Sequence, residues 1–219
     1  MAAQPGVYIG IEPGSSRKAG ALMVLDDHQT IQAQGRGDLA GVLAFAAGVV
    51  SAVVAVNAPA QAGALEDEML EPGAWIHQTP AALRRGVELH RRLSGMGYSV
   101  YPAPDSPRQK LVTPAEAAYA SLLEQPPLEP HTLEGRLQRQ LVLADCGVKV
   151  PDAMDFFEEI TRRRLLRGLL PLEKIFSTDE LNALICAHVA WRAAHQPESL
   201  RWQGEPGTGQ IALPLPAKR

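Results

Sequence analysis

Cysteine is nearly absent from this chain. Cys146 and Cys186 are the only two in 219 residues, and they show neither metal-ligand nor redox spacing. A reduced intracellular compartment, the cytoplasm, is the expected location. Aromatic residues make up only 5%, too few to supply the stacking platforms of single-strand binders. Positive charge is not in excess either: the formal net charge is -3, so no global basic field advertises nucleic acid. Phosphate neutralisation supplies most sequence-blind affinity for nucleic acid, and this composition argues against it. The N-terminus lacks a basic segment followed by an apolar core, so no signal peptide is expected.

Long charge-free runs are also scarce. One stretch, Leu39 to Val56, runs eighteen residues without a charge and touches the length of a membrane span. Its composition changes halfway. Leu39 to Ala47 is rich in Leu and Ala, Val49 to Val56 is rich in Val, and Gly48 sits at the join. Asp38 is a suitable N-cap and Gly48 a suitable stop, so the run reads as a helix followed by a strand buried on both faces. No membrane association is expected.

What is present is an ordinary globular composition, 46% hydrophobic and 21% charged, able to bury a core. The chain opens with an apolar strand, Val7 to Ile11, that ends in Glu12 and runs into Pro13-Gly14-Ser15-Ser16. Lys18 to Asp27 and Gln29 to Arg36 read as two further strands, and Ala52 to Asn57 as the buried fourth. A long irregular loop is expected from about 58 to 78. Helices are expected from Thr79 to Met96, from Thr113 to Leu123, from Thr132 to Asp145, from Asp152 to Arg167 and from Ser177 to His195. Tyr98 to Tyr101 reads as a fifth strand. Thr113 with Glu116, and Ser177 with Glu180, each have capping-box spacing. Gly147 and Gly168 stand where helix stops belong. Residues 1–213 are expected to form a single α/β domain, with 214–219 a loose tail.

Ligands of open sheets gather beyond the carboxyl ends of strands, which puts Glu12 where an acid can meet a metal or a phosphate. Ser15 and Ser16 follow it at once, and Asn57 ends the neighbouring strand. Two arginine clusters, Arg84-Arg85-Arg91-Arg92 and Arg162-Arg163-Arg164-Arg167, could hold phosphates, as could Arg136 at a helix start. Each of these residues also has a plain structural reading. Asp179 lies in the first turn of a helix, where any acid favours the dipole. Glu116 completes a cap, and Glu134, Arg136 and the arginine clusters fit solvated helical faces. His188 lies on the apolar stripe of Leu181, Leu184, Ile185 and Trp191, and Asn57 can hydrogen-bond the following loop.

The strand meander, helix and fourth strand together resemble the ribonuclease-H-like fold, and Ile9-Gly10-Ile11-Glu12-Pro13-Gly14-Ser15 looks like the first strand of Holliday-junction resolvases. Val56-Asn57-Ala58-Pro59, His131 to Gln140, Pro151 to Ile160 and Asp179 to Leu184 resemble one bacterial and archaeal family of unknown function, usually labelled a predicted ribonuclease-H-like nuclease. The resemblance implies a central mixed five-stranded sheet of order 3-2-1-4-5 with helices on both faces. It also implies a metal-dependent phosphodiesterase using Mg²⁺ or Mn²⁺ on nucleic acid. Glu12 and Asp179 would be the metal ligands. Asn57 and Asn182 would complete the catalytic set, with Ser15, Ser16, Arg84 and Arg136 binding substrate. Two-metal chemistry needs several converging carboxylates. This chain offers Glu12 where resolvases have Asp, an amide at Asn57, and Asn182 where many relatives carry Asp. The alternative expectation is therefore a non-catalytic descendant that binds nucleic acid or a protein partner. A phosphoryl-transfer reading of the Glu12 to Ser16 turn fails, because it needs a second such domain and a second phosphate loop.

Overall fold

The computed structural model describes residues 6–14, 18–61, 80–204 and 210–216. The first strands follow the alternation of their side chains. Strand β1 (Tyr8–Glu12) pairs antiparallel with β2 (Gly20–Leu25), which pairs antiparallel with β3 (Ile31–Gly37). Helix α1 (Leu39–Gly48) crosses over to β4 (Ala52–Val56), which lies parallel to β1, Ile11 facing Val56. The charge-free run thus divides where expected: the Asp38 carboxylate accepts the Gly41 N–H, and α1 stops at Gly48. Among the described residues no helix is long and apolar enough to cross a membrane. Parallel strands covered on both faces must be apolar throughout, and every residue of β1 and β4 is buried.

Beyond β4 the sheet departs from the expected five strands. The next position belongs to β6 (Arg108–Val112), parallel to β4, not to the Tyr98–Tyr101 stretch. Of that stretch only Ser99–Val100 forms a strand, β5, which pairs with β6 on the edge away from β4. The chain end adds two more strands. β8 (Ile211–Pro214) lies parallel to β6, and β7 (Leu200–Gln203) closes the far edge antiparallel to it. The sheet has eight strands in the order β3-β2-β1-β4-β6-β8-β7, with β5 also on β6. Pro214 belongs to β8, so the loose tail does not begin at 214.

Helices cover both faces, and alternate residues of the central strands sort them. Ile9, Ile11, Val54 and Val56 pack against α1 and α2 (Pro80–Gly95). Tyr8, Val53 and Ala55 pack against α3 (Ala115–Leu123), α4 (Leu133–Asp145) and α7 (Thr178–His195). Helix α7 rides directly on β1 because Gly10 has no side chain: a Cβ there would lie 1.8 Å from the Ala183 carbonyl oxygen. The expected helix from 152 to 167 is broken. Its pieces are α5 (Asp155–Glu159) and α6 (Arg162–Leu166), with Ile160 extended between them and Thr161 capping the second. The 58–78 loop and Thr79 lie outside the described residues, apart from 58–61.

Candidate functional site

Three elements converge at the carboxyl end of β1. Strand β1 delivers Glu12, the end of β4 delivers Asn57, and the first two turns of α7 deliver Asp179 and Asn182. Glu12 and Asn57 are buried, while the Asp179 side chain keeps 14% of its exposure. The four expected catalytic positions are therefore brought together. What they do to one another is the informative part.

One oxygen, Glu12 Oε2, accepts from both amides: from Asn57 Nδ2 at 2.5 Å and from Asn182 Nδ2 at 3.1 Å. The Gly14 N–H also bonds this carboxylate, and Gly14 adopts φ +66, a conformation glycine reaches without strain. Burial still dominates and raises the Glu12 pKa from an ordinary 4.5 to about 7, with the Asp179 charge pushing the same way and the three hydrogen bonds opposing. Asn57 is occupied at its other end as well. Its Oδ1 accepts the Ala115 N–H at 2.9 Å, so this amide ties β1 to the start of α3. Asn182 Oδ1 is buried and has no hydrogen-bond partner among the described residues.

Asp179 faces the Lys18 ammonium, which donates to Oδ1 at 2.7 Å. The start of α7 is pinned further by its capping box. The Glu180 carboxylate accepts the Ser177 N–H at 2.8 Å, and Arg36 on β3 reaches both Ser177 Oγ and Glu180. Asp179 thus has its dipole position and a cation of its own.

Of the remaining expected residues, Arg84 and Arg136 do not join this cluster. Ser15 and Ser16 lie outside the described residues. Arg84 is exposed on α2 and forms no ion pair among the described residues. The Arg136 guanidinium donates to the carbonyls of Phe176 and Ile175, both at 2.8 Å, and so braces the segment entering α7. Burial lowers its pKa, with Glu180 opposing.

The second expected capping box is not formed. The cap of α3 is Pro114, Thr113 Oγ1 has no partner among the described residues, and Glu116 is drawn away to the fully buried Arg139 at 2.7 Å. Arg139 also lies over the Tyr119 ring. His188 is a core histidine: Nδ1 meets Gln29 Oε1 at 2.6 Å, and burial lowers its pKa to about 3, the nearby Arg192 charge adding to the effect. Lys18 is the participant that reading the sequence missed. Its only signal there was a cation six residues past the carboxylate, across a Pro-Gly turn.

A divalent pair finds few ligands here. Among the described residues no three His, Cys, Asp or Glu side chains group as metal ligands. Glu12 already accepts amide protons, and Asp179 already holds an ammonium. No protein-family model, curated protein or solved structure matches the chain.

Proposed function

We propose that this protein is a non-catalytic binding scaffold of the ribonuclease-H-like superfamily, in which the place of an acidic site is taken by a polar latch. The observation that carries the reading is the convergence of two amide donors on Glu12 Oε2, one of which also caps α3. A catalytic carboxylate must present free lone pairs to a metal or a proton. Here Oε2 of the buried one already takes two amide protons, and with Asn57 it ties β1, β4, α3 and α7 together. The run of neighbouring strands 3-2-1-4 and the placing of Glu12, Asn57, Asp179 and Asn182 support the superfamily and family resemblance.

A second reading, a phosphodiesterase with one Mg²⁺ or Mn²⁺ acting on nucleic acid, has specific support too. Asn182 Oδ1 is an oxygen without a hydrogen-bond partner among the described residues, beside a carboxylate whose pKa stands at about 7, and perturbed acids cluster at functional sites. That reading requires Lys18 to leave Asp179.

Calorimetric titration with Mn²⁺ on wild-type and Glu12→Ala protein, followed by cleavage assays on DNA and RNA, separates the two. The scaffold reading expects no stoichiometric binding and no cleavage that depends on Glu12. Stoichiometric Mn²⁺ binding abolished by Glu12→Ala, with metal-dependent cleavage, would overturn it in favour of the second.

A further inference from the structure

We propose that the stretch from Met154 to Leu172 is a docking surface for a partner protein that presents an apolar ridge flanked by carboxylates. Helix α6 has no buried residue, and every residue from 161 to 170 is exposed. Among the described residues twelve large apolar side chains are exposed, and seven of them lie here: Met154, Phe157, Leu165, Leu166, Leu169, Leu170 and Leu172. Leu166 keeps 78% of its surface. Concentrated apolar exposure of this kind marks an interaction surface; leucines scattered singly would not.

The turn that carries the leucines is built. Gly168 at φ +66 closes α6 with the Leu169 N–H on the Arg164 carbonyl at 2.9 Å and the Gly168 N–H on the Leu165 carbonyl at 3.0 Å. Leu165 to Leu170 are thus presented on a defined turn.

Charge selects the partner. Thr161 to Leu172 contains four arginines and no acid. Arg164 reaches Glu159 at 3.6 Å, while Arg162, Arg163 and Arg167 form no ion pair among the described residues. Of the three acids on α5, Asp155 and Glu159 are engaged by Lys174 at 2.8 and 3.0 Å, and exposed Glu158, which forms no ion pair among the described residues, stands against three such arginines. Guanidinium groups pair with carboxylates as planar forks. Arginine beside apolar residues, without lysine, is the composition of protein interfaces. A nucleic acid would leave the leucines without a counterpart. The stretch from 161 to 172 also lacks the tryptophan and tyrosine enriched at membrane interfaces. A second copy of this chain would set arginine against arginine across a two-fold axis.

The test places a photo-crosslinking residue, p-benzoylphenylalanine, at Leu166 of the full chain in cells of the source organism. The captured protein is then purified and its binding measured by calorimetry at low and high salt. We expect a crosslinked segment rich in Asp, Glu and apolar residues, with affinity that falls as salt rises. Arg162→Glu/Arg163→Glu/Arg167→Glu and, separately, Leu165→Ser/Leu166→Ser should each weaken binding at least about tenfold, with unchanged far-ultraviolet circular dichroism. A crosslink to lipid, nucleic acid or a second copy, no crosslink at all, or affinity unchanged in both variants would overturn the proposal. Neither variant touches the Glu12 cluster, so a metal titration that sinks the scaffold reading leaves this result standing, and the reverse holds too.

Discussion

Two polar regions of this molecule handle charge in opposite ways. At the end of β1, two carboxylates and one ammonium are met by partners within the chain, and the carboxylate of Glu12 is buried under two amides. From Met154 to Leu172, three arginines and a row of leucines face solvent with nothing among the described residues to meet them. The first region resembles a functional site by sequence, yet its groups are turned on one another. The second drew notice in the sequence as an arginine cluster that could hold phosphates or simply form a solvated helical face, and it presents unspent binding capacity. Chemistry-bearing residue types therefore identify a site less well than the number of their lone pairs and protons still free once the chain has folded.

Breaking the closed region should have the largest effect. Asn57→Leu removes a donor from buried Glu12 and the acceptor of the Ala115 N–H at once, and an uncompensated buried charge is costly. The expected loss, read by urea unfolding, is about 4 kcal/mol. A loss below about 1 kcal/mol would mean the latch is not structural.

Neutralising Glu12 sharpens the comparison by pH. Its pKa is about 7 in the folded protein against 4.5 ordinarily. Between those values the native state holds a proton that the unfolded chain has lost. The contribution is therefore fully present below about pH 4.5 and disappears as pH climbs through 7. Glu12→Gln should stabilise the protein at pH 8 by about 3 kcal/mol and by almost nothing near pH 4. Buried His90 and His188, each held near 3, oppose this slope, because the unfolded chain takes up their protons as pH falls below 6.5. The quantity to plot is thus the difference between mutant and wild-type unfolding profiles. Parallel profiles would refute the raised pKa.

The smallest effect belongs to the open region. Leu165→Ser/Leu166→Ser should change unfolding free energy by no more than about 0.5 kcal/mol, since exposed side chains away from packing features carry little stability. A loss of 2 kcal/mol or so would show that these leucines are covered within the chain.

Much of the first half was legible in the sequence. The meander, α1 and β4 follow from short apolar runs bounded by turn residues, a strong N-cap at Asp38 and a change from Ala and Leu to Val at Gly48. The capping box of α7 and the glycines at 147 and 168 were also plain, because each satisfies backbone groups locally. Strand β6 was not legible. Its opening Arg108-Gln109-Lys110 carries no apolar signal, and Lys110 becomes buriable only because its ammonium reaches the His90 carbonyl and Ser94 Oγ, both at 2.6 Å. The Thr113–Glu116 box failed for a long-range reason as well: the Val56 carbonyl takes the Thr113 N–H at 3.0 Å, and Arg139 holds the Glu116 carboxylate. At the site, the identity and convergence of Glu12, Asn57, Asp179 and Asn182 could be read in advance. That Lys18 would answer Asp179, and that one glutamate oxygen would take both amides, depended on three-dimensional neighbours 161, 45 and 170 residues away.

The contact of Gly10 with the backbone of α7 has a consequence for synthesis. The partner that covers this face of β1 lies more than 170 residues downstream. A ribosome adding roughly 5–20 residues per second leaves β1 without that cover for on the order of ten seconds or longer. During that interval α1 and α2 can already close the opposite face. The nascent chain therefore passes through a half-covered sheet, and a chaperone bound to that bare face would be released by the arrival of α7.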